Sequence, residues 1–303
     1  MRPDRKPGLF GMLWGLFYPY LLYQGIATIV SIAAASLLMT LNSDALASVS
    51  SYNELIYALS DMITEHYAGI SAAAALFTLP VLIVLFRGDT AKERAAKMHV
   101  EWEGVPFYHY LIVTVMGAAA CLALNNLLEY SHVTELLKDT YEPTANLLFR
   151  GSVLPEILLM GILIPVVEEL IFRGIAYRRM RWYLGPVPAM ILSAVYFGAV
   201  HGNWLQGIYA FIIGMLLAFC YERFHCLLAP ILVHAAANII AVLISDGGFL
   251  SFVYQNDNEI AFLIVTAAAM VVFVITFYLM VTYVYPRKKT DAALTGPDRS
   301  NGI

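Results

Sequence analysis

Polar positions are scarce along this chain, and their placement cuts it into apolar runs. Runs near residues 16–41, 68–86, 105–128, 153–177, 186–202, 204–221, 227–245 and 260–285 carry few charges. Most of them reach the roughly 17–25 residues that a helix needs to cross a hydrocarbon core of ~30 Å. The pattern predicts an all-α, polytopic integral membrane bundle of eight transmembrane helices. Helices 1–3 and their loops fall in residues 1–152, helices 4–7 in 153–246, and the last helix with a polar tail in 247–303. Between the first two runs, the connection "LNSDALASVSSYNELIYALSDMITEHYAG" has Leu55, Leu59, Met62 and Ile63 near one helical face, which predicts an amphipathic helix within it, lying on the outer surface.

Composition agrees with the pattern. Sixty per cent of the 303 residues are hydrophobic and 13% charged, which excludes an ordinary soluble domain. Basic residues in short loops stay on the cytoplasmic side, and sixteen of the 18 Lys and Arg fall in alternate gaps. Only Lys138 and Arg150 fall in the other set. That division predicts both termini in the cytoplasm, with a bacterial cytoplasmic membrane as the expected location. The basic N-terminal start has no small-residue cleavage site after it and reads as an uncleaved anchor. The tail after Arg287 is polar and expected to be mobile. No basic patch suggests nucleic acid. Three cysteines, Cys121, Cys220 and Cys226, with no Cys-x-x-Cys pair, give neither a disulfide framework nor a structural zinc site.

One apolar run breaks the pattern: "PVVEELIFRG", residues 165–174, holds two adjacent glutamates and an arginine. An ionisable group facing lipid is costly, so such groups face the bundle interior and are functional candidates. On an α-helix Glu168 and Glu169 project about 100° apart. Glu169 and Arg173 are spaced i,i+4 with the acid first, the favourable order for an ion pair. Glu169 is therefore the structural carboxylate, and Glu168 has no partner on its own helix. A lone carboxylate in a low-dielectric site suits a general base. Two further runs supply partners: "FGAVH" places Phe197 and His201 four apart, and "HAAAN" does the same for His234 and Asn238. The alanines of the latter allow close approach of a neighbouring helix or a substrate backbone. Asn125, Asn126, Glu156 and His109 read as helix-end or interhelical polar groups, and Tyr18, Trp182 and Trp204 as interfacial residues.

Together, "EELIFR", "FGAVH" and "HAAAN", in that order on successive runs, resemble the three motifs of the CPBP family, the CAAX-protease and bacteriocin-processing (Abi) intramembrane endopeptidases. The resemblance covers residues 153–246. It implies hydrolysis of a peptide bond in a membrane-associated protein or peptide by an activated water, in CAAX-type processing, peptide maturation or bacteriocin self-immunity. It further implies that Glu168 and His201 activate the water, while His234 and Asn238 stabilise the oxyanion. Phe197 would pack beside His201, and Glu169 with Arg173 would fix the helix. The expected partners are the bilayer and a membrane-associated peptide or protein, with no nucleic acid.

Two other readings remain open on the residues alone. His201, His234 and Glu168 could form a His₂Glu zinc set with water at the fourth position; no cofactor is the preferred expectation, because no further carboxylate is left to act as base. A membrane carrier or a non-enzymatic immunity protein could also hold such residues in its interior. Depths counted along the helices place Glu168, His201 and His234 at different levels. A tilt, a fifth span beginning below the membrane surface, or a break near Gly198 and Gly202 would bring them together, with the site expected to open to the cytoplasmic half of the bilayer.

Overall fold

The computed structural model describes residues 9–47, 51–96, 104–148, 152–246, 248–254 and 258–285. The basic N-terminal start, Lys97, Arg150 and the polar tail lie outside the described residues. Among the described residues there is no strand, and the chain is a polytopic helical bundle. Its main helices are α1 (Leu9–Leu41), α2 (Tyr52–Glu65), α3 (Tyr67–Ala95), α4 (Phe107–Tyr130), α5 (residues 153–184), α6 (Pro186–Ala199), α7 (Trp204–Phe224), α8 (Leu228–Ser245) and α9 (Glu259–Tyr283).

Six of these, α1, α3, α4, α7, α8 and α9, are long and apolar enough to cross a membrane. The two remaining expected spans take a different form. Helix α5 is continuous but changes register, with π-helical stretches at Ile157–Leu163 and Leu170–Tyr177 set between α-helical turns. Pro165 follows the first stretch; a proline within a helix removes one backbone donor and displaces the turn before it. Helix α6 has only 14 residues, about 21 Å at 1.5 Å per residue, well short of a ~30 Å core. It starts at Gly185, whose φ of 77° only glycine adopts readily, followed by Pro186 at the first helical position. It stops at Ala199, inside the bundle.

Helix α4 packs along both α8 and α9, and α6 pairs with α7. Two close approaches set the helix positions. A Cβ on Gly117 would collide with the Val233 backbone, 2.8 Å from its Cα, so α4 and α8 touch main chain to main chain. A Cβ on Gly198 would lie 2.7 Å from the Gly207 carbonyl, which holds α6 against α7. The amphipathic helix is present as α2: Leu55, Leu59 and Met62 are half-buried, whereas Ile63 is exposed.

At the end of the bundle where α5 finishes, arginines tie the helices together. Arg178 pairs with Glu93, which also accepts from Trp182 Nε1 at 3.1 Å. Arg179 pairs with Asp89 at 2.7 Å and donates to the Gly15 carbonyl and to Tyr18. Arg181 pairs with Glu222 at 2.6 Å, and Tyr177 donates to the same carboxylate. These links join α1, α3, α5 and α7. Tyr18 and Trp182, expected at the interface, thus bind charged side chains at this end, whereas Trp204 is exposed at the other end.

Candidate active site

Glu169 and Arg173 are both fully buried, and Nη1 of Arg173 lies 2.9 Å from Oε1 of Glu169. The i,i+4 pair therefore forms although α5 enters its π-helical stretch at Leu170. Arg173 also donates through Nη2 to the Gly214 carbonyl at 3.0 Å, and its guanidinium lies 4.5 Å above the Phe197 ring. A second donor onto α7 and an aromatic face suit guanidinium, which is planar and weakly hydrated. Arg173 is consequently an interior residue and does not count among the interfacial cations used to orient the chain.

Glu168, one residue earlier, has a side chain 22% exposed, turned into a cavity of 1430 Å³ that His201, His234 and Asn238 also line. The two adjacent carboxylates are thus separated by environment as their helical angles predict. The break near Gly198 and Gly202 is present: His201 sits in the turn between α6 and α7, with Gly202 at a φ of 78°. Its Nδ1 lies 2.7 Å from the Phe197 carbonyl. A carbonyl only accepts, so Nδ1 carries the hydrogen and the neutral ring keeps its lone pair on Nε2.

His234 corrects the expectation that Glu168 stands alone. Its Nδ1 lies 2.9 Å from Glu169 Oε1, and its Nε2 lies 3.6 Å from Glu168 Oε2, so this ring spans the two carboxylates. The contact is with α8 and cannot be read from α5. Phe197, 2% exposed, stands at the centre, with ring centroids 4.8 Å from His201 and 5.6 Å from His234. Asn238 also differs from a freely pointing donor: its Nδ2 donates to the Met160 carbonyl at 2.8 Å. Met160 lies in the first π-helical stretch, where shifted register alters which carbonyls are satisfied. That amide retains a second hydrogen and its own carbonyl.

Sequence reasoning missed the Met160 and Gly214 carbonyls, since backbone acceptors leave no side-chain signature. Asn126 is the interhelical group expected, donating to Thr266 at 2.8 Å and accepting from Tyr254 at 2.7 Å. His109 bonds the Pro106 carbonyl at the start of its own helix.

For the alternative zinc set, no group of three His, Cys, Asp or Glu side chains among the described residues is placed close enough to hold a metal ion as they stand; the Nδ1 atoms of His201 and His234 each face a protein acceptor, which leaves Nε2 as the ring nitrogen turned to the cavity in both and does not decide between the two readings. The cavity also opens at the end expected to be outer, contrary to the cytoplasmic opening anticipated from helix depths. Its lining runs from Glu168 to the exposed Glu129, Ser245 and Glu259. With α6 ending early, the space beyond its last turn lies on that side.

Residues 150–240 match the family model described as type II CAAX prenyl endopeptidase Rce1-like. Over that segment the chain is similar to this family, in line with the resemblance carried by its three motifs. Glu168, Glu169, Arg173, Phe197, His201, His234 and Asn238 all fall inside the matched segment, which is under a third of the chain. That similarity, with the apolar helices, supports an integral membrane protein and a hydrolase of the intramembrane endopeptidase type. No curated protein and no solved structure matches the chain.

Proposed function

We propose that the protein cleaves a peptide bond of a membrane-associated polypeptide by attack of a water held between Glu168 and His201. The observation that carries this reading is the unequal treatment of two neighbouring carboxylates: Glu169 is sealed against Arg173, while Glu168 faces a large cavity beside two imidazoles and an amide. His201 Nε2, with its lone pair free, accepts a hydrogen bond from the water, and the Glu168 carboxylate takes the proton as the oxygen attacks the carbonyl carbon. The same proton then passes to the leaving nitrogen, so Glu168 ends ionised and the peptide bond is broken. His234 is oriented by Glu169 through Nδ1. Protonated on both nitrogens, it donates through Nε2 to the developing oxyanion, joined by the second amide hydrogen of Asn238. Donors of this kind contribute about 10²–10³ in rate each.

The reading requires no metal step. The family description names CAAX prenyl endopeptidases; a prenylated C-terminus, a maturing peptide and a bacteriocin all fall within the substrate class proposed here. The deciding experiment is Glu168→Gln, which keeps shape and removes the base. Cleavage of a membrane-associated peptide should fall to background while insertion and melting stay as in the wild type. Normal cleavage by that variant would overturn the proposal.

A further inference from the structure

The side from which the cavity is reached bears on what can enter it. The cavity extends from Glu168 to the exposed end of α4 at Glu129 and Tyr130, to the end of α8 at Ser245 and to the start of α9 at Glu259. None of its lining comes from the opposite end, where Arg178, Arg179 and Arg181 bind Glu93, Asp89 and Glu222 across two helix boundaries. The short α6 explains the asymmetry. Its last turn, with His201 just beyond, stops about 21 Å from its start, and the cavity lies beyond that turn. At 1430 Å³ the space exceeds the roughly 300–1,000 Å³ of a small-molecule pocket, and a stretch of extended chain fits it better than a metabolite does.

Charge narrows the occupant. Carboxylates stand at the mouth, Glu129 and Glu259, and at the floor, Glu168, while among the described residues lining the cavity none is Lys or Arg. An anionic stretch would meet the exposed Glu129 and Glu259 on its way in and Glu168 at the floor, with no lysine or arginine along the described lining to offset them.

Resting on the endopeptidase reading above, we propose that the substrate is an uncharged or cationic stretch of extended peptide that enters from the end remote from the arginine cluster. By the distribution of basic residues that end is the non-cytoplasmic one, so the substrate segment has already crossed, or been inserted into, the membrane before it is cut.

Two measurements test this on the full chain. In the first, Thr144→Cys and Ser245→Cys are labelled in intact spheroplasts with a membrane-impermeant maleimide, against a wild-type control for Cys121, Cys220 and Cys226. Labelling from outside is expected at both positions. Labelling only after the membrane is opened overturns the route.

In the second, purified protein is given internally quenched peptides with one apolar centre flanked by either lysines or glutamates. The lysine peptide should be cleaved with kcat/KM about tenfold or more above the glutamate peptide, a difference of about 1.4 kcal/mol. Glu129→Gln with Glu259→Gln should narrow the gap without abolishing cleavage. Equal cleavage of both peptides, or preference for the glutamate one, overturns the charge selection and leaves the endopeptidase reading standing. Cleavage of both peptides that persists unchanged in Glu168→Gln sinks the water-activating role proposed for Glu168 instead, and the labelling result still decides the route.

Discussion

At the scale of single residues, Glu168 and Glu169 should fail in different ways. Glu169→Gln leaves the Arg173 guanidinium buried with no counter-charge. Breaking a buried pair in this manner costs about 3–5 kcal/mol, so melting temperature, expression and activity should decline together. It also releases His234, which Glu169 holds at 2.9 Å. Exchanging the pair, Glu169→Arg with Arg173→Glu, should restore part of the melting temperature and none of the cleavage, because His234 would then face a cation. A stable, inactive Glu169→Gln alongside an active Glu168→Gln would show that the roles are reversed. Metal dependence is decided separately: activity should survive stringent chelation, with well under one zinc per chain by elemental analysis. Loss on chelation with recovery on zinc alone would make His201 and His234 ligands.

At the scale of elements, the site depends on how closely three helices approach. Gly117 lets α8 lie on α4 with Val233 at contact, and His234 is the next residue along. Gly117→Ala forces the helices apart or strains them, at about 1–3 kcal/mol for an overpacked contact. It should lower kcat more than that stability change explains, because His234 moves relative to both carboxylates. Gly198→Ala should act likewise through His201; a variant that keeps full activity with an unchanged melting temperature would show that the contact is loose. The sequence discloses some of these relations and hides others. The Glu169–Arg173 pair is readable because helix geometry alone brings i and i+4 together. The bond from Asn238 to Met160 is not, since a π-helical register has no residue code as plain as apolar spacing. The end of α6 at Ala199 is half legible: the apolar run to residue 202 and the glycines at 198 and 202 mark a break, but the three residues by which the helix falls short of the run come from packing against α7.

At the scale of the whole molecule, the helical membrane bundle follows from apolar run lengths, whereas the side on which it is hollow depends on tertiary packing that no run length reports. Reporter fusions should place Lys92, Arg179 and Lys288 in the cytoplasm and Ser50 and Asn256 outside. An external reading at Lys288 would remove the arrangement with both termini inside. The arginine-bonded end of the bundle has a further, electrical consequence. A water-filled well that reaches mid-bilayer from one side is an extension of that side's solution, and the transmembrane voltage drops across the packed remainder. Moving one charge through the full drop costs about 2.3 kcal/mol per 100 mV. Ions and protons entering the well would cross almost none of it. Cleavage rates in sealed vesicles should therefore stay constant as a potassium diffusion potential is varied, and the protein should not leak protons at rest. A rate that follows the applied voltage would mean that the field reaches Glu168 and that the packed end does not insulate.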